Sequence, residues 1–342
     1  MAEITYLLGA GASYNALPVV DEMYQRIGDA KNWFNIAFRT IYPGIDHNGE
    51  YNEPPEYEKL KKIISDLEWL KEICNTSKNF SVDTFARKLN LSGKVKEYEK
   101  LKNILSFFFT IEQKRNPPDV RYDNFWASIL KHKSRFPDNI KIISWNYDFQ
   151  LELTYTDFLG IDSLKQARET LNIYSQETLE RDFNDPKIFG IFKLNGSATY
   201  NNSTERGLNY LIDEFKESKI DSFINDVVEK YERMFKKSFF YKNHLTFAWE
   251  HQTNNPFYSQ LKKAVSNTEI LVVIGYSFPF FNRDIDKLIL NEFMGDKLKK
   301  VYFQAPDAED LRERFLAINN TIDPDHLVLR KDIKQFTLPN EL

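Results

Sequence analysis

The sequence predicts an α/β fold: a doubly wound, mostly parallel sheet carrying helical insertions. Three observations lead there. Short apolar, β-prone runs recur at Ile4–Leu8, 139–145 and 268–274. Amphipathic helical patterns separate them. Each run ends in small or polar residues, as strands do where a parallel sheet hands over to its helices.

In chain order, Ile4–Leu8 runs into Gly9-Ala10-Gly11-Ala12-Ser13, and Leu17-Pro18 leads into a helix-like run over 19–27. Two glycines two apart let the backbone approach a ligand closely, and a helix start offers N–H groups to a phosphate. Tyr14 stands where a dinucleotide fingerprint has its third glycine. An ordinary strand-to-helix turn has the same features. Residues 31–42 read as a helix, and Pro43-Gly44-Ile45-Asp46-His47-Asn48-Gly49 breaks it as a loop. Over 56–74, Leu60, Ile63, Ile64, Leu67, Leu70 and Ile73 recur at helical spacing. Ser81 starts another helix, and 98–114 repeats the pattern. Between about 45 and 135 no run reads as a strand, which makes this block a helical insertion.

The strand at 139–145 ends in Asn146-Tyr147-Asp148, and a strand at 187–194 ends in Asn195-Gly196-Ser197. Residues 205–240 are charged and aromatic and read as helices, so a second insertion spans about 200–245. The run 268–274 ends in Gly275-Tyr276-Ser277; a further strand at 299–304 precedes a helix over 307–319. The reading is of a single domain, 1–342. Ligands bind doubly wound sheets outside the carboxyl ends of the strands. Turns alone have no need of two asparagines and an aspartate at those ends, which favours a nucleotide site.

Composition narrows the classes. With 342 residues, 42% of them hydrophobic, the chain can build a sizeable core. A net charge of −4 argues against a general nucleic-acid binder. The single cysteine, Cys74, excludes an internal disulfide framework and suits a reducing compartment; it reads as helix core rather than nucleophile. No apolar run approaches ~18 residues, so no membrane span is expected. The first strand leaves no room for a secretory leader, and the expected location is cytoplasmic.

At its strand ends the sequence resembles the sirtuin-like NAD-consuming domains of bacterial anti-phage defence. The matching pieces, in order, are Gly9-Ala10-Gly11-Ala12-Ser13 with Leu17-Pro18, then Ser144-Trp145-Asn146-Tyr147-Asp148, then Lys193-Leu194-Asn195-Gly196-Ser197, then Val273-Ile274-Gly275-Tyr276-Ser277-Phe278-Pro279. Asn282-Arg283 and Asp286 continue the last piece. The resemblance implies a Rossmann-like domain with NAD as substrate and no metal. In it the turn Gly9, Ala10, Gly11, Ala12 and Ser13 cradles the phosphates, with Leu17 behind it. Asn146 sits against the nicotinamide ribose and positions the attacking water. Asp148 holds the nicotinamide side or orients Asn146. Gly275 and Ser277 contact the adenosine half, and Phe278 and Asn282 extend the cofactor surface.

The family carries histidine, its proton acceptor, where this chain has Asn195. Asparagine is no general base near neutral pH, yet it can hydrogen-bond a ribose hydroxyl or a water. Nicotinamide leaves neutral from a cationic pyridinium and needs no acid. Water held by Asn146 then suffices, at a cost near the ~10²–10⁴-fold of a lost acid–base group. Asn195 is therefore a variant that keeps activity, a mark of an NAD binder without turnover, or an inactivating change. His251 enters the cleft as a substitute base or is an ordinary histidine. His47, His132, His244 and His326 show no metal-ligand spacing with one another or with Cys74.

The expected function is NAD hydrolysis to nicotinamide and ADP-ribose, as a defence effector that depletes NAD. One cysteine does not make the four-cysteine zinc module of deacetylating sirtuins. The alternative is a silent subunit that binds NAD or ADP-ribose. A dehydrogenase fits poorly, because the glycine fingerprint is incomplete. An uncontrolled hydrolase kills its host, so the resemblance implies a separately encoded sensor or ATPase partner, and self-assembly into a homo-oligomer. The 15% of aromatic residues supply such contacts or fill helix cores.

Overall fold

The computed structural model describes residues 1–41, 55–75, 81–131, 135–161, 163–176, 185, 188–202, 220–235, 241–319 and 321–342. The loop expected at 43–49, the first part of the 205–240 block, His47 and His132 lie outside the described residues. The chain divides into two compact units, one of residues 1–15, 118–197 and 246–342, the other of 16–117 and 198–245.

Nine strands occur among the described residues: β1 Ile4–Leu8, β2 Ile140–Ser144, β3 Ile173–Tyr174, β4 Gly190–Lys193, β5 Gly196–Asn202, β6 Tyr241–Leu245, β7 Ile270–Ile274, β8 Lys300–Gln304 and β9 Leu327–Arg330. Seven form one sheet in the order β3-β4-β2-β1-β7-β8-β9, and every pairing is parallel. The three runs that predicted the fold are its centre, with β1 between β2 and β7. β1, β2 and β7 are buried along their whole length, as strands covered on both faces must be.

Alternation along these strands builds two cores. Ile4, Tyr6, Leu8, Ile142 and Val272 point to one face, where Tyr122, Trp126, Leu151 and Tyr155 cover them. Leu7, Ile143, Leu271 and Val273 point to the other, under Phe257, Leu261 and Phe315. The helices bearing these covers are Val120–Ile129, Gln150–Leu159, Pro256–Val265 and Ala308–Leu316. β1 connects onward to β2 on one side, while the later strands fill the other side. The order therefore reverses between β1 and β7, and a doubly wound sheet has its ligand crevice outside the carboxyl ends at such a point.

The second unit contains Met23–Ile41, Pro55–Ile73, Val82–Leu91, Val95–Arg115 and Ile220–Phe235 as helices. Where the sequence reading separated 19–27 from 31–42, one helix runs through both. Buried Ile27, Ala30, Phe34 and Ala37 keep helical spacing across Gly28. β5 and β6 pair as a two-stranded sheet. Residues 118–135, read from sequence as part of the first insertion, belong to the sheet unit. No helix among the described residues is long and apolar enough to cross a membrane.

Candidate functional site

Register brings the first unit's site residues together. Leu8 lies opposite Ser144 on one side and Ile274 on the other, so the chain leaves β1, β2 and β7 at one level, through Gly9, Trp145 and Gly275. The Gly9 N–H donates to Ile274 O at 3.0 Å and the Gly11 N–H to Gly275 O at 2.9 Å. A Cβ on Gly9 would lie 2.5 Å from Tyr276 Cα, and one on Gly11 would lie 2.8 Å from Gly275 Cα. These glycines are required because two backbones touch here. Ala10–Ser13 is a short 3-10 turn, in which the Ala12 N–H returns to Gly9 O at 2.8 Å. The amides of Gly9, Gly11 and Ala12 are thus used within the protein, and Ala10 is the turn's exposed residue.

Arg121 fixes that turn from below. Its guanidinium donates to Ala12 O at 2.9 Å and Gly11 O at 3.2 Å and pairs with Asp119 at 2.6 Å. Burial pushes the Asp119 carboxyl up, but the Arg121 bonds outweigh it and hold it below the ordinary range.

Asn146 and Asp148 meet the turn directly. Asn146 Nδ2 donates to Gly9 O at 2.9 Å and lies 3.5 Å from Ser13 Oγ. Ser13 Oγ gives its proton to Asp148 Oδ2 at 2.8 Å, so it accepts from Tyr122 OH at 3.0 Å. The Gln150 N–H donates to Asp148 Oδ1 at 3.0 Å. Both Asp148 oxygens are therefore occupied. Burial raises its pKa, with Lys193 pulling the other way. Asp148 bonds to Ser13, and through Ser13 reaches Asn146.

The Lys193–Ser197 loop is held by buried charge. Lys193 Nζ donates to Glu152 Oε1 at 3.0 Å and to the carbonyl oxygen of Asp148. Arg168 donates to Glu152 Oε1 at 2.6 Å and to Ser197 Oγ at 3.2 Å. Burial lowers the Lys193 pKa, and Arg168 adds to this against the opposite pull of Glu152. Between these anchors Asn195 donates through Nδ2 to Trp145 O at 3.1 Å, while its buried Oδ1 has no hydrogen-bond partner among the described residues.

A second buried cluster joins Trp145, at the end of β2, to the segment that follows β7. Tyr276 OH donates to Asp286 Oδ2 at 2.8 Å and accepts from Asn282 Nδ2 at 3.0 Å; Trp145 Nε1 donates to Asp286 Oδ1 at 3.2 Å. Burial drives the Asp286 pKa up to about 8 despite both donors. The Trp145 ring stacks with Tyr276 at 5.9 Å and with His251 at 5.7 Å between ring centres. His251 Nδ1 contacts Tyr258 OH at 2.5 Å. Beyond Gly275, Ser277 is exposed and Phe278 is buried in a left-handed conformation with φ +49.

Of the residues singled out from sequence, Gly9, Gly11, Ser13, Asn146 and Gly275 are linked by direct bonds or close contacts, and Asp148 joins through Ser13. Asn195 meets Trp145, and Asn282 reaches Trp145 only through Tyr276 and Asp286. Leu17 is buried in the second unit. Sequence reasoning passed over Tyr122, Arg121, Glu152 and Arg168, which sit in ordinary helical patterns with no local mark of their long-range partners. Among the described residues no group of three His, Cys, Asp or Glu side chains could hold a metal ion. No protein-family model matches the chain, and no curated protein matches its sequence.

Proposed function

We propose that the protein binds NAD across the ends of β1, β2 and β7 and hydrolyses its nicotinamide–ribose bond. The Asn146 side chain carries this reading. Its Nδ2 is committed to Gly9 O, and among the described residues its Oδ1 accepts no hydrogen bond. An acceptor is thereby held beside the glycine turn, at the point where strand order reverses.

In the proposed reaction Asn146 Oδ1 takes a hydrogen bond from the attacking water or the adjacent ribose hydroxyl. The C1′–N bond breaks with its electron pair leaving on nicotinamide, through an oxocarbenium-like transition state. Water oxygen bonds to C1′ and its proton passes to solvent. Asp148 contributes through Ser13, which it holds beside Asn146.

A second reading, an NAD or ADP-ribose binder without turnover, is favoured by one observation: Asn195 offers no titratable nitrogen where the resembling family has its base. Under the first reading the protein is a cytoplasmic anti-phage effector, a homo-oligomer controlled by a separately encoded sensor or ATPase. Nicotinamide release from NAD, with ADP-ribose binding measured alongside, separates the two.

A further inference from the structure

Residues 332–337 belong to no helix or strand, yet buried side chains of the sheet unit hold their backbone. Gln304, the last residue of β8, uses both ends of its amide. Its Nε2 donates to Asp332 O and to Gln335 O, each at 2.6 Å, and its Oε1 accepts the Thr337 N–H at 2.9 Å. Arg121 Nη1 donates to Ile333 O at 3.3 Å, while Nη2 of the same guanidinium donates to Gly11 O and Ala12 O. One rigid planar fork therefore joins this segment to the glycine turn. Asp119 neutralises the fork from two residues away at the same helix start, and leaves its aim to be set by what lies beyond that helix. A second route runs from segment to turn. The Phe336 ring packs edge-on against Tyr122 at 4.8 Å, and the Tyr122 hydroxyl donates to Ser13 Oγ. The same Phe336 ring lies 5.2 Å from the Arg121 guanidinium carbon.

We infer that residues 332–337 position the glycine turn, with Arg121 and Tyr122 carrying the coupling and Phe336 seating the segment on both. Resting on the NAD reading above, the turn held in this shape meets the nucleotide phosphates. Phe336 is then a positioning residue, acting through Arg121 and Tyr122 rather than on the ligand. Coupling of this kind is reciprocal, so a nucleotide at the turn also tightens the segment.

The test follows amide hydrogen exchange in the full chain with Phe336→Ala. The Gly11 and Ala12 amides, bonded to Gly275 O and Gly9 O, should exchange about tenfold faster, while the amides of β4 keep their native rates. ADP-ribose affinity should fall about tenfold in the same variant. In the native chain, bound ADP-ribose should slow exchange at Thr337. A residue that only packs the core predicts an equal rise in the turn and in β4, and that result overturns the inference. Native exchange at Gly11 and Ala12 in Phe336→Ala, native ADP-ribose affinity, or no response of Thr337 to ADP-ribose overturns it too. Should Phe336→Ala not fold, Phe336→Leu takes its place. A native chain that binds no ADP-ribose sinks the NAD reading instead. The exchange comparison between turn and β4 then decides the coupling alone.

Discussion

The Gly11 N–H donates to Gly275 O at 2.9 Å, and neither residue has room for a side chain. A Cβ on Gly275 would lie 2.3 Å from Gly11 C, and Gly275 also has φ +59. Backbone meets backbone, so nothing flexible can give way. Gly275→Ala should therefore destabilise the fold by about 2–5 kcal/mol, from left-handed strain plus overpacking. Gly160→Ala is the control, with φ +64 but nothing within 4 Å of its Cβ, and should cost only the strain. Urea midpoints that fall equally for the two variants would refute the contact.

The same contact bears on the proposed nucleotide site. Gly11→Val strikes Gly275, so lost binding in that variant does not report on phosphates. Ala10 is exposed on the same turn. Ala10→Asp should leave stability within about 0.5 kcal/mol of the native chain. Its carboxylate should repel the phosphates and weaken ADP-ribose binding about tenfold at low salt, less so at high salt. Calorimetry at two ionic strengths measures both effects.

The buried Asp286 gives a pH signature. Its carboxyl titrates near 3.8 when unfolded and at about 8 in the folded chain. Between those values the folded chain holds a proton that the unfolded chain has lost. Stability therefore declines as pH rises through this window, and the decline ends above the folded pKa. Asp286→Asn removes the titration while keeping an acceptor for Tyr276 and Trp145. The variant should gain on the native chain by up to about 1.4 kcal/mol per pH unit between pH 5 and 8. Parallel urea curves at both pH values would show that Asp286 is ionised throughout.

Much of this fold was legible because its central strands are apolar on both faces and end in recognisable turns. β3 was not, having two residues, nor was β9, whose Leu327, Val328 and Leu329 are only half-buried. The glycines stood out, but their reason did not: a strand-end glycine looks alike whether it admits a ligand or a neighbouring backbone. Asn146 and Asp148 could be picked out by position. Their supports could not, because Ser13 reaches Asp148 across 135 positions and Lys193 reaches Glu152 across 41. Trp145, Tyr276 and Asp286 lay within the motifs, yet nothing in the sequence shows that they bond to one another.

Asn195→His tests the altered loop. One ring nitrogen can keep the bond to Trp145 O, and the other brings a group titrating near 6.5 to the place of Oδ1. Turnover should be at least that of the native chain, with a new pH dependence near neutrality. If the asparagine is what silences the chain, the gain should approach about 10²–10⁴-fold. Lost ADP-ribose binding in a folded variant would mean that residue 195 does not face the nucleotide.

The most direct measurement is nicotinamide release when the purified native chain is given NAD, with Asn146→Ala run beside it. The proposal predicts release by the native chain, and in Asn146→Ala a loss of kcat far larger than any loss of ADP-ribose affinity, as for an interaction made mainly in the transition state. Equal turnover by the two proteins, or no ADP-ribose binding by the native chain, would contradict it.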